Sequence, residues 1–223
     1  QEGRLLRMKG ELEKAVEVYT VAGAISPSSA EVCNGLGLVL VEQGKLEEAS
    51  EIYKRAVSIK PGCAEIHNNL GFVLQKQNKW EDAAQHYNHA IFVDPEYAEA
   101  YNNFGNLRQE QNQFKAAIEC YRRAISVDPN YAEAYSNLGA ALQGDEDFSE
   151  AAEAHRCALK IGSNQAKLHF NYGVFCQYQG RLEEAIQAYK SAINLNRDFA
   201  DAHKNLGMLL LLKGDFPNGW KEY

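Results

Sequence analysis

The chain has 223 residues, of which 45% are hydrophobic, and this is enough apolar material for a substantial core. Its formal net charge of −7 argues against nucleic acid or an acidic membrane surface as a partner, because such binding depends on clustered Lys and Arg. The longest apolar segment, residues 206–212, is far shorter than the roughly 20 residues that a membrane-spanning helix needs, so no membrane insertion is expected.

A period of 34 residues organises the sequence, with small and aromatic residues at fixed positions. The repeated glycines are Gly3, Gly37, Gly71, Gly105, Gly139, Gly173 and Gly207, and one alanine series is Ala15, Ala49, Ala83, Ala117, Ala151 and Ala185. Tyr recurs at a further position, where His155 is the one substitute. A helical Gly costs about 1 kcal/mol relative to Ala, so close helix packing must compensate. Gly139 is expected to lie close to a helix of an adjacent pair.

The predicted elements follow this period along the chain. Residues 1–29 form a partial repeat, full repeats follow at 30–63, 64–97, 98–131, 132–165 and 166–199, and residues 200–223 stop inside a second helix. Apolar residues recur at helical spacing in two runs per repeat, separated by a polar turn such as that at Asn112 and Gln113. We therefore predict one all-α array of about seven antiparallel helix pairs. Both ends lack a polar cap, so a longer protein is expected.

The motif of each repeat resembles that of the tetratricopeptide repeat (TPR) family. One repeat carries the pattern at Tyr101, Phe104, Gly105, Ala117, Tyr121, Ala124 and Pro129. The resemblance covers essentially the whole chain. It implies a right-handed superhelical solenoid in which the first helix of each pair lines the concave side, and it implies a protein–protein interaction scaffold.

A ladder of asparagines lies two residues before the repeated glycine. Its members are Asn69, Asn103, Asn137, Asn171 and Asn205, and Asn68 and Asn102 double it in two repeats. An amide can donate to a peptide carbonyl and accept from a peptide N–H, so the row could hold an extended peptide by its backbone. Asn is common here in the family, so a role inside the scaffold is an equal alternative. The ladder resembles the asparagine-lined groove that precedes the catalytic domain in O-linked N-acetylglucosamine transferases.

Motifs for catalysis are absent from the sequence. No Gly-x-x-x-x-Gly-Lys-Ser/Thr, Gly-x-Ser-x-Gly or His-Glu-x-x-His occurs, so no enzyme activity, cofactor or metal site is predicted. His86 and His89 could share a metal ion, but no further ligand is in register, and they are predicted to lie on a solvated face. Reduced thiols and a cytoplasmic location are favoured, because the five cysteines form no Cys-x-x-Cys pair.

Three functions are compatible with these features. The first is a scaffold that binds a peptide or protein segment in its concave groove. The second is the substrate-recruiting TPR region of a glycosyltransferase whose catalytic domain lies outside this chain. The third, a receptor for chaperone tails, is disfavoured because Lys76, Lys167 and Lys204 are too scattered to clamp a terminal carboxylate.

Towards the C-terminus the first-helix surface is predicted to become apolar. Phe170, Tyr178, Met208, Leu211 and Leu212 stand at positions that are mostly polar in the middle repeats. Such a patch is either an interaction site or the seat of a further helix or domain of the longer protein. Both interpretations make self-association through the C-terminal end a consequence to test.

Overall fold

A computed structural model describes residues 2–223, and all regular secondary structure in that part of the chain is α-helical. The helices are α1 (Glu2–Met8), α2 (Leu12–Ile25), α3 (Ala30–Glu42), α4 (Leu46–Ile59), α5 (Ala64–Lys76), α6 (Trp80–Val93), α7 (Ala98–Glu110), α8 (Phe114–Val127), α9 (Ala132–Gly144), α10 (Phe148–Ile161), α11 (Ala166–Tyr178), α12 (Leu182–Leu195), α13 (Ala200–Leu212) and α14 (Phe216–Glu222). The predicted all-α repeat fold is confirmed. Within residues 2–223 no helix has both the length and the apolar character that crossing a membrane requires.

The turn inside each helix pair contains one residue in the left-handed region of backbone space. These residues are Gly10, Gly44, Asn78, Asn112, Glu146, Gly180 and Gly214, so the turn repeats with the same 34-residue period. Gly and Asn tolerate this conformation, which explains their use. Glu146, at φ 66°, is the exception, and its side chain makes that turn less favourable by roughly 1 kcal/mol.

The helices fall into two compact units, one ending at Leu107 and the other beginning at Arg108, within α7. Unit 1 contains α1–α6 and most of α7, and unit 2 contains the end of α7 and α8–α14. The alanine and tyrosine positions of the period form the core of each unit. Ala49, Tyr53, Ala83 and Tyr87 are fully buried in unit 1, and Ala117, Tyr121, Ala185 and Tyr189 are fully buried in unit 2.

Repeated glycines such as Gly37, Gly139 and Gly173 make room for an aromatic ring of the second helix in the same pair. A Cβ atom on Gly37 would lie 2.6 Å from the Tyr53 ring, and one on Gly173 would lie 2.6 Å from the Tyr189 ring. A Cβ on Gly139 would lie 2.7 Å from the His155 ring. The expectation that Gly139 faces an adjacent pair is therefore wrong, because the tight contact is between α9 and α10 of one pair.

The hydroxyl groups of three buried tyrosines are held by glutamines near the end of the first helix. Tyr87 donates to Gln75 at 2.8 Å, and Tyr189 donates to Gln177 at 2.7 Å. Tyr121 donates to Gln109 in the same way, at 3.1 Å. The pattern is absent at Tyr53 of unit 1, whose hydroxyl is buried without a hydrogen-bond partner, and at His155 of unit 2, whose two ring nitrogens are buried without partners. Each of these positions leaves a buried polar group uncompensated.

Candidate functional site

Side-chain amides link successive first helices of unit 1 in a repeated relay. In the first relay, Asn69 donates to the Asn34 Oδ1 atom at 2.9 Å, and Asn34 donates to the Glu65 carboxylate at 2.8 Å. In the second relay, Asn103 donates to the Asn68 Oδ1 atom at 3.0 Å, and Asn68 donates to the Glu99 carboxylate at 3.2 Å. We call these two chains of hydrogen bonds the amide relays. The first relay ties α3 to α5, and the second ties α5 to α7.

The carboxylate at the end of each relay fixes the orientation of both amides. An ionised carboxylate can only accept hydrogen bonds, so Asn34 must present its NH₂ group to Glu65. Its carbonyl oxygen then points to Asn69, which must in turn present an N–H. The Oδ1 atom and the second N–H of Asn69 remain outside the relay. The same reasoning applies to Asn103, and both residues are half-buried rather than enclosed.

The remaining ladder residues differ in their partners and exposure. Asn171 donates to the Ser136 hydroxyl at 2.9 Å, and Asn205 donates to the Tyr189 hydroxyl at 3.3 Å. Asn137 is half-buried. Asn68 and Asn102 are 1% and 2% exposed, so their side chains offer a ligand no surface in this conformation. Sequence reasoning missed Asn34, although it stands 34 residues before Asn68 and the spacing alone could have identified it.

Two adjoining cavities border the first relay in unit 1. The first has a volume of about 510 Å³ and is lined by Leu38, Ala64, Glu65, Asn69, Asp94, Tyr97 and Glu99. The second has a volume of about 490 Å³, shares Leu38 and Glu65 with the first, and includes Asn34, Arg4 and Arg7. The ladder residue Asn69 therefore lies at the edge of a space large enough for a side chain of a bound polypeptide.

The apolar residues predicted near the C-terminus divide into two groups. Tyr178, Met208 and Leu212 are exposed, with Leu212 at 73%. Phe170 packs against the rings of Tyr189 and Phe199, at centroid distances of 5.7 Å and 5.0 Å. Leu211 is half-buried and lies over Gly219 of α14. Packing inside unit 2 thus takes up Phe170 and Leu211, and self-association through the exposed residues stays a prediction.

A histidine cluster in unit 1 differs from the arrangement predicted from sequence. His67 of α5 approaches His86 of α6, with 2.9 Å between their Nδ1 atoms, and its ring centroid lies 4.0 Å from that of His89. Burial lowers the pKa of His86 to about 4, with the nearby His67 adding to the effect. His86 is therefore part of a packed contact rather than a solvated face. Among residues 2–223 no group of three or more His, Cys, Asp or Glu side chains suits a metal ion.

Most of the sequence matches the profile of a known repeat family. The profile described as TPR repeat matches residues 3–44, 37–78, 76–112, 105–145 and 176–214. The chain belongs to the TPR-repeat family. TPR proteins generally serve as protein-interaction scaffolds that bind protein or peptide partners, and their fold is typically non-catalytic. No curated protein matched the sequence.

Several solved TPR structures share the fold. MamA is 27% identical, with a TM-score of 0.64, and the match covers 75% of this chain and 98% of MamA. PilF of Pseudomonas aeruginosa is 21% identical, with a TM-score of 0.73 and coverage of 86% and 88%. YrrB, described as a TPR protein with an unusual peptide-binding site, is 21% identical, with a TM-score of 0.59 and coverage of 90% and 99%.

Proposed function

We propose that this TPR chain is a scaffold that holds an extended polypeptide segment along its first helices, mainly through the backbone of that segment. The oriented amides of Asn69 and Asn103 carry the proposal. Each uses one N–H inside the scaffold and retains an Oδ1 acceptor and a second N–H. These are the two groups that an extended backbone requires, since each of its residues offers one donor and one acceptor.

The relays also favour binding because they hold the amides in place before a partner arrives. A free Asn side chain can rotate and must be ordered on binding, and ordering a side chain costs about 0.5–1.5 kcal/mol. Hydrogen bonds from Asn69 and Asn103 to the preceding repeat reduce that cost. Contact to backbone groups alone would make the affinity depend little on the sequence of the bound segment.

The double substitution Asn69→Ala and Asn103→Ala tests this function. We expect the affinity for a neutral, extended peptide of about 12 residues, measured by fluorescence anisotropy, to fall at least about tenfold, because two oriented amides are removed. The matched control is Asn88→Ala, on the exposed surface of α6. Circular dichroism should give equal helicity for all three proteins. Equal affinity of the double variant and the unaltered chain would contradict the proposal.

A role as the substrate-recruiting region of a glycosyltransferase uses the same surface and is the alternative proposal. The asparagine ladder is the feature that favours it. Glycosyl transfer by the protein with its flanking sequence, lost when Asn69 and Asn103 are both Ala, would support this alternative. We also retain the cytoplasmic proposal, which is supported by the unpaired state of all five cysteines.

A further inference from the structure

The first cavity of unit 1 combines three carboxylates with an aromatic ring. Glu65, Asp94 and Glu99 line it together with Tyr97. The ion pairs of unit 1 use other acidic residues, namely Glu42, Glu11, Glu51 and Glu31. Within the described residues, the three cavity carboxylates therefore have no cationic side chain at ion-pair distance. We call this space the acidic cavity.

The carboxylates of the acidic cavity affect the protonation of the neighbouring Tyr97 phenol. Burial, followed by the charges of Glu99 and Glu65, raises the pKa of the Tyr97 phenol. Tyr97 therefore stays neutral, and its hydroxyl group donates a hydrogen bond to the Glu99 carboxylate at 3.4 Å. A neutral aromatic ring next to carboxylates is a favourable surface for a cation, because the ring face attracts positive charge as well.

The acidic cavity also adjoins the backbone-binding surface. Asn69 lines the cavity, and its Oδ1 atom lies outside the amide relay. An extended segment held by Asn69 would therefore direct one of its side chains towards Glu65, Asp94 and Glu99. Charge complementarity then selects among the side chains that could enter.

We propose that the acidic cavity receives a Lys or Arg side chain of the bound segment, so that the partner is a polypeptide with a basic residue in its extended stretch. This inference rests on the proposed function, because the backbone of the segment is held by Asn69. A Lys ammonium has three donors and an Arg guanidinium has five, and both can satisfy several carboxylates at once. The volume of about 510 Å³ can accommodate either side chain.

Three labelled peptides of about 12 residues test the inference, with a Ser/Gly background and one central Lys, Gln or Glu. Anisotropy titrations with the whole chain should give the affinity order Lys, then Gln, then Glu. We expect the Lys peptide to bind about five- to tenfold more tightly than the Gln peptide at low salt, and this advantage should shrink at high salt.

Asp94→Asn identifies the cavity as the cause. The substitution keeps the side-chain oxygen that accepts from the Glu96 N–H at 3.0 Å. The control Asp128→Asn removes the same charge from an equivalent turn of unit 2, where Asp128 accepts from the Asn130 N–H at 2.9 Å. Asp94→Asn should weaken the Lys peptide about three- to tenfold and leave the Gln peptide unchanged. Asp128→Asn should change neither.

The outcomes separate this inference from the function on which it rests. Equal binding of the Lys and Gln peptides would overturn the basic-residue inference and leave the scaffold proposal intact. Equal losses for Asp94→Asn and Asp128→Asn would assign the charge preference to the overall net charge and also overturn it. If none of the three peptides binds, both the inference and the proposed function are overturned.

Discussion

Gly139→Leu is expected to destabilise unit 2 by about 1–3 kcal/mol, because the new side chain would collide with a buried ring. Even a single Cβ atom at this position would lie 2.7 Å from the Cδ2 and Nε2 atoms of His155. His155 is 2% exposed and packs against Phe175 at a centroid distance of 5.0 Å, so the ring has little freedom to move away. Urea unfolding followed by circular dichroism measures the loss.

Gly23→Leu is the matched control for this steric effect. Gly23 also lies inside a helix, but a Cβ there would lie 3.8 Å from Val32, which is an ordinary contact. Replacing a helical Gly by a better helix former is expected to leave stability unchanged or raise it by up to about 1 kcal/mol. Equal unfolding midpoints for Gly139→Leu and the unaltered chain would contradict the α9–α10 packing.

Acidification from pH 7 to pH 5 is expected to lower the free energy of unfolding by about 2 kcal/mol through His155 alone. Burial lowers the pKa of this imidazole from 6.5 to about 4. In the unfolded chain the His155 imidazole therefore binds a proton below pH 6.5, whereas in the folded chain it stays neutral until about pH 4. The contribution of His155 to the free energy of unfolding is fully present above the unfolded pKa and is lost as the pH falls towards the folded pKa. The lowered pKa values of His67 and His86 act in the same direction.

His155→Leu isolates this contribution. Leu has a similar volume and removes two buried nitrogens that lack partners, so the variant is expected to gain about 1 kcal/mol at pH 7. Its loss on acidification should be about 2 kcal/mol smaller than that of the unaltered chain. The same loss in His155→Leu and the unaltered chain would show that His155 does not titrate as expected.

The fold could be predicted because one period governs it. A 34-residue recurrence of Gly, Ala and Tyr assigns every repeat the same pair of helices, and the all-α repeat fold followed from it. The period does not predict which helices are in contact. It marks Gly139 and His155 as equivalent to Gly173 and Tyr189, but only the three-dimensional structure shows that each of these two glycines faces the ring of its own pair.

The chemistry of the candidate site was harder to predict, because it depends on pairs of residues from different repeats. Asn34 and Asn69 are 35 residues apart, so their hydrogen bond joins different positions of two successive repeats. Alignment of equivalent positions compares Asn34 with Asn68 and does not reveal this contact. His67 and His86 lie 19 residues apart on the two helices of one repeat, so the 34-residue period does not relate them either.

N-methylation of the neutral test peptide probes the central proposal most directly, because it removes backbone N–H donors and leaves the side chains unchanged. If the Oδ1 atoms of Asn69 and Asn103 accept from the bound backbone, methylation at alternate residues should lower the affinity at least about tenfold. A scrambled peptide without N-methyl groups should bind as well as the original. Equal affinity of the N-methylated and unmodified peptides would contradict backbone-mediated binding by this scaffold.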